Sequence, residues 1–262
     1  MFFIGAREEL CLTFPLIILT LVTIRKYRMS ENSKSTVFQF EVRYNHILNF
    51  SEISRRLLSP FVKLASSIKV DNQGSIEERL VLNFDEDNYL ITVSWDRILI
   101  KVQGAIKNFT ESNSIIQTPF LSILDRLMEL EGFGNVQNIL LAANYVKKFD
   151  CDKSKLVKWF SERALNKAVE SVFPETTDVA VVVESKMKES EATVSFGPYF
   201  GSSELLKRPI SLVSNVDLED FDFSGVMLES KYFMKVSEVN FSTFVDIVKV
   251  NEENVQRVWK ML

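Results

Sequence analysis

The sequence predicts an α+β protein built from two tandem strand–helix–strands–helix repeats. Each repeat is expected to form a curved antiparallel sheet with its helices packed on one face. Three observations carry this. Several runs alternate apolar and polar residues with period two, the mark of half-buried strands. Between them lie amphipathic stretches with helical spacing. The same order of elements appears on both sides of about residue 135, which divides the working chain into 29–134 and 135–262.

The first unit opens at Val37 to Tyr44, where Phe38, Phe40, Val42 and Tyr44 share one face and Gln39, Glu41 and Arg43 the other. Ser51 is then placed to cap a helix carrying Ile53, Leu57, Leu58, Phe61 and Ala65, with a break expected at Pro60. Three strands follow, Glu78 to Phe84, Tyr89 to Trp95 and Arg97 to Gln103. The acidic turn Asp85-Glu86-Asp87-Asn88 joins the first two. A helix from Pro119 to Leu130 stops before Gly132.

The second unit repeats the order. A strand spans Asn138 to Lys147, and Asp150 or Asp152 caps a helix through Leu156, Trp159, Phe160, Leu165 and Val169. Strands are expected at Asp178 to Glu184, Glu191 to Phe196, Ile210 to Val216 and Val226 to Val236. The last helix carries Phe241, Phe244, Val245, Val248, Val255, Val258, Trp259 and Leu262 on one stripe. Two short echoes accompany this order. Asn49-Phe50-Ser51-Glu52 and Lys148-Phe149-Asp150-Cys151 stand at strand-to-helix junctions, and Thr92-Val93-Ser94-Trp95 parallels Thr193-Val194-Ser195-Phe196.

Residues 1–28 stand apart. Leu10 to Ile24 is apolar but for three threonines and Pro15, and as a helix it would span roughly 22 Å, short of a bilayer core of ~30 Å. Arg25, Lys26 and Arg28 follow it. A misassigned start codon ahead of Met29, a short membrane anchor and a buried helix all account for it. As an anchor it would leave the rest of the chain in the cytoplasm. Removing 1–28 takes away four basic and two acidic side chains, which moves the net charge from −4 to −6.

Rare residues exclude chemistry. Cys11, Cys151 and His46 are too few and too scattered for a Cys/His zinc site, and two cysteines make no disulfide framework. A reducing, cytoplasmic compartment is expected. Any Ser-His or Cys-His mechanism must use His46, a strand-end histidine with no Gly-x-Ser-x-Gly turn to serve it. Gly132-Phe133-Gly134 follows a helix, whereas a dinucleotide loop opens one. The stretch Asp220 to Gly225 matches the start of a calcium loop, but Lys231 stands where the bidentate glutamate belongs. The Asn-x-Ser/Thr triplets at Asn49, Asn108 and Asn240 are expected to be fortuitous in a cytoplasmic chain. No cofactor and no metal are expected.

The polar strand faces are what remain: Gln39, Glu41, Arg43, Asn83, Thr92, Ser94, Lys101 and Gln103 in the first half, Thr193, Ser195, Glu229, Lys231 and Lys235 in the second. From these, Glu41, Arg43, Thr92, Lys101 and Gln103 are the candidate binding residues, for a protein partner or a small ligand. The crevice between the halves, near Gly132-Phe133-Gly134, is a second candidate.

The order strand–helix–strands–helix, used twice, resembles the helix-grip saddle of TATA-box-binding protein. The strand Phe38-Gln39-Phe40-Glu41-Val42-Arg43-Tyr44 and the helix bearing Val258-Trp259 resemble those of a sporadically distributed family of bacterial proteins with no assigned activity. Neither resemblance implies particular site residues. The saddle implies nucleic acid, yet duplex binding draws on Lys and Arg to neutralise phosphates. Here residues 1–135 are net −1 and residues 136–262 net −3. The expected function is therefore binding without catalysis. An architectural nucleic-acid binder and a carboxylate-based enzyme using Glu41, Glu184 or Glu229 are the alternatives.

Overall fold

The computed structural model describes residues 34–104, 106, 118–149, 151–165, 172, 175–207 and 218–262. Residues 1–28, the strand expected at Ile210 to Val216, and Asp150, Val169 and Asn108 lie outside them.

Period-two alternation is clearest in strands of the first half, as expected. In β1 (Lys34–Tyr44) Phe38, Phe40, Val42 and Tyr44 are at most 1% exposed, because they all fall on one face of the pleat. The chain then forms α1 (Phe50–Leu58) and a 3-10 turn at Ser59–Phe61. Pro60 cannot donate to the helical ladder and its ring crowds the preceding turn, so the α-helix ends there and never reaches Ala65. Asn49, not Ser51, is the residue at the N-cap.

Four strands follow, one more than expected: β2 (Ser67–Asp71), β3 (Arg79–Phe84), β4 (Tyr89–Ser94) and β5 (Arg97–Gln103). Next come α2 (Pro119–Met128), β6 (Val136–Lys148) and α3 (Lys153–Ala164). Asp152 caps α3, its Oδ1 accepting from Lys155 N–H at 2.9 Å, and Leu165 is already extended beyond its end. The chain continues through β7 (Val181–Lys186), β8 (Ser190–Phe200), 3-10 turns at Ser202–Lys207 and Leu218–Phe221, β9 (Ser224–Lys235) and α4 (Phe241–Met261).

The nine strands of the described residues join one open antiparallel sheet in the order β2-β3-β4-β5-β1-β6-β9-β8-β7. The seam is β1 against β6, paired from Lys34–Val146 to Tyr44–Val136. On each side the chain runs out along the seam strand, through a helix, and back as a meander towards that strand. The two sides share this order but not their strand number, with five strands against four. Gly225 lets β9 begin close to β6, since a Cβ there would lie 2.1 Å from the Lys147 carbonyl oxygen.

The main core lies on the helix side of the sheet and spans both halves. Phe244 of α4 meets Phe40 of β1 at 5.1 Å and Phe120 of α2 at 5.8 Å, edge to face. Phe160 of α3 meets Phe196 of β8 at 5.9 Å. The phenylalanine excess, 21 residues, is thus placed largely in this layer. A buried polar set ties α4 to the sheet. The Tyr145 hydroxyl accepts from Asn251 Nδ2 at 2.9 Å and donates to Glu252 Oε1 at 2.8 Å, while the Ser230 hydroxyl donates to Asn251 Oδ1.

Candidate functional site

The ladder registers fix what lies on the sheet face opposite the core. One row across the strands reads Asn83, Leu90, Lys101, Gln39, Ala142, Lys231, Thr193 and Glu184. The neighbouring row reads Val81, Thr92, Leu99, Glu41, Leu140, Phe233 and Glu191. All five candidate residues, Glu41, Arg43, Thr92, Lys101 and Gln103, share this face, as their alternation requires.

The face differs from a uniformly solvated polar surface. Glu41 is 4% exposed, and Val37, Ala142 and Asn144 on the same face are buried as well. Glu41 accepts from Arg43 Nε and from Arg97 Nη1 at 3.2 Å, with Gln39 Nε2 at 3.4 Å. Arg97 in turn donates to Asp96 Oδ2 at 2.7 Å, and the Ser94 hydroxyl donates to Asp96 Oδ1 at 2.9 Å. Burial opposes the Asp96 charge, yet hydrogen bonds from Arg97 and Ser94 outweigh it and hold the carboxyl below the usual aspartate range. Two carboxylates and two guanidiniums thus neutralise one another. Glu41 and Arg43 are brought together as parts of a closed ion-pair network.

Lys101 is different. It sits mid-sheet between Leu90 of β4 and Gln39 of β1, and its ammonium has no ion-pair partner among the described residues. Burial lowers its pKa below the ordinary lysine value. Two positions along β5, Gln103 Oε1 is buried without a hydrogen-bond partner among the described residues. Thr92 is one strand away on β4, beside the half-buried Leu99. Leu90, Leu99, Leu140, Arg97 and Asp96 were not among the expected site residues. Strict alternation from Lys101 back to Leu99 and Arg97 is the signal that places those two residues on this face.

At the far side of the same face, a pocket of about 350 Å³ is lined by Asp178, Ser195, Gly197, Glu204, Met227 and Glu229, among others. Gly197 makes room for residues 178–180 to pass over β8, since a Cβ would lie 2.8 Å from the Val179 carbonyl oxygen. Glu229, 9% exposed, is paired with Lys231 at 2.8 Å.

The glycine segment 132–134 packs against the end of β1. Phe133 lies 4.9 Å from the Tyr44 ring, and Gly134 abuts Asn45. His46 is exposed and rests on Trp95 at 3.9 Å. Glu41, Glu229 and Glu184 lie on β1, β9 and β7, each separated from the next by an intervening strand, so they form no acid–base pair. Among the described residues, no three His, Cys, Asp or Glu side chains cluster as metal ligands, and no helix is long and apolar enough to cross a membrane. No family model matches this chain, and no curated protein matches it.

Proposed function

We propose that the chain is a non-enzymatic binding protein that docks a protein partner on the sheet face opposite its helices, the partner presenting a carboxylate to Lys101. The observation that carries this is Lys101 itself: a half-buried ammonium without a counter-charge among the described residues, beside a Gln103 Oε1 that none of them hydrogen-bonds. Unmatched polar groups of this kind cost stability in the free protein and gain it when a partner supplies the missing bonds. Leu90, Leu99 and Leu140, each partly exposed around them, offer the apolar contact that protein interfaces combine with charge. Arg43, by contrast, already has Glu41, and contributes by keeping that buried carboxylate neutralised. We further read the two halves as repeats of a helix-grip unit, on the strength of the shared element order, working in a bacterial cytoplasm, on the strength of the low cysteine count and the resemblance of β1 and α4 to a bacterial family.

The test is site-specific photocrosslinking from position 99 in cells, with position 158 on α3 as the control. A discrete protein adduct is expected from position 99. It should fall at least tenfold with Lys101→Glu, survive Lys101→Arg, and be absent from position 158. An adduct indifferent to Lys101→Glu would place the partner elsewhere, as would crosslinks confined to position 158. A nuclease-sensitive adduct would identify a nucleic acid instead, and no macromolecular adduct at all would sink the proposal.

A further inference from the structure

We infer that the free edge of β7 pairs with the same edge of a second copy, joining two sheets across a twofold axis at Ser185. Among the described residues, β7 bonds to β8 on one side only and is the last strand of the sheet. Natural edges are blunted by proline, bulges, shortness or charge, because bare N–H and C=O groups recruit further strands. The opposite edge, β2, is guarded in this way: it has five residues, and Lys69 and Arg79 both pair with its Asp71. β7 carries charge too, at Glu184 and Lys186, but it has neither proline nor bulge and exposes Val182 by 61% and Val183 by 51%, against 40% and 36% for Ile68 and Val70 of β2, with Met187 just beyond at 50%.

The sequence Val181-Val182-Val183-Glu184-Ser185-Lys186-Met187 is complementary to itself when run antiparallel about Ser185. Glu184 then faces Lys186 of the second copy, Lys186 faces its Glu184, and Val183 faces its Met187. Residues directly opposite share a sheet face, so both ion pairs form on the outer side and both apolar pairs on the core side. Shifting the axis to Glu184 sets two glutamates against each other, and shifting it to Val183 sets Val182 against Glu184. Of these three axes only the one at Ser185 sets opposite charges against each other, and a twofold axis there closes the pairing as a dimer.

Five paired residues bury less than the roughly 1,600 Å² of a standard interface, so the dimer should be dissociable, forming at about 100 µM rather than at nanomolar concentration. Sedimentation equilibrium of the full chain tests it. Glu184→Lys and Lys186→Glu should each weaken self-association about tenfold by opposing like charges. An equimolar mixture of the two variants should regain it, since the paired lysines of the first variant then meet the paired glutamates of the second. Lys186 also pairs with Glu191 at 2.7 Å, but both are exposed, so the fold is not at stake and thermal midpoints should stay unchanged. A chain that stays monomeric up to about 500 µM overturns the inference. So does a dimer that the single variants do not weaken, or a mixture that fails to regain association.

Discussion

At Lys101, function and stability are expected to pull in opposite directions. Burial favours the neutral amine, so the folded pKa lies below the unfolded one. Between the two values the unfolded chain holds more protons, so stability rises with pH through that window. Below it the lysine is charged in both states, and the folded state bears the whole desolvation cost. Lys101→Met keeps the aliphatic stem and removes the charge. It should raise stability at pH 7 by about 0.5–1 kcal/mol, the range of an ordinary stabilising substitution. The advantage should shrink as pH climbs towards the unfolded lysine value of about 10.4. Urea titrations of both proteins across pH 7–10.5 measure the difference. A variant less stable than the parent at pH 7 would mean that the ammonium is satisfied in the free protein, and would remove the main support for the docking face. Glu41 offers no such opening, because Arg43 and Arg97 already hold it.

Among the elements, α4 shows how a cap outweighs a pattern. The tripeptide Asn-Phe-Ser begins both α1, at Asn49, and α4, at Asn240. Only Asn240 has the extended backbone that lets its Oδ1 accept from Thr243 N–H, at 3.1 Å, while the Thr243 hydroxyl accepts from Asn240 N–H at 3.3 Å. Asn49 is not extended and makes no side-chain cap bond. Asn240→Ala should therefore cost about 1 kcal/mol, Asn240→Asp almost nothing, and Asn49→Ala much less than Asn240→Ala. Thermal unfolding of the three variants reads this order, and equal losses at both asparagines would refute it. The same contrast shows why elements were readable from the sequence but their ends were not. Alternation in Val37 to Tyr44 and the stripe from Phe241 to Trp259 announce β1 and α4, because burial on one face repeats at the pleat or the helical turn. β2 carries no such signal, because its Ile68 and Val70 remain 40% and 36% exposed at a sheet edge, where little burial selects the pattern. Of the site, the shared face of Glu41, Arg43, Thr92, Lys101 and Gln103 was legible from period two. The neutralisation of Glu41 by Arg97 was not, since their separation of 56 residues closes only when β1 pairs with β5.

For the whole molecule, the consequential contact is the one that local patterns cannot name, the pairing of β1 with β6. Alternation marks β1, and the apolar run Ile139 to Ala143 marks β6, but neither says which strand each will meet, so the strands were readable while their fusion into one sheet was not. The seam is not left to hydrogen bonds alone. α4 belongs to the second half, yet its Phe244 packs on Phe40 and Phe120 of the first, and its Asn251 reaches Tyr145 and Ser230 on the other side of the seam. A helix anchored on both halves makes separate unfolding costly, because releasing either half strips a face from the shared core. The chain should therefore unfold in one transition despite its two-unit order. Single-tryptophan proteins test this directly, one retaining Trp95 in the first half and the other Trp159 in the second, with phenylalanine at the remaining tryptophans. Their fluorescence midpoints should agree within about 2 °C, the coincidence of probes that two-state behaviour demands. Phe244→Ala empties a fully buried site and should cost about 4 kcal/mol, lowering both midpoints together by roughly 10 °C. If Trp95 and Trp159 instead report separate transitions, or Phe244→Ala moves only the second, the halves are independent domains that share a sheet without sharing their stability.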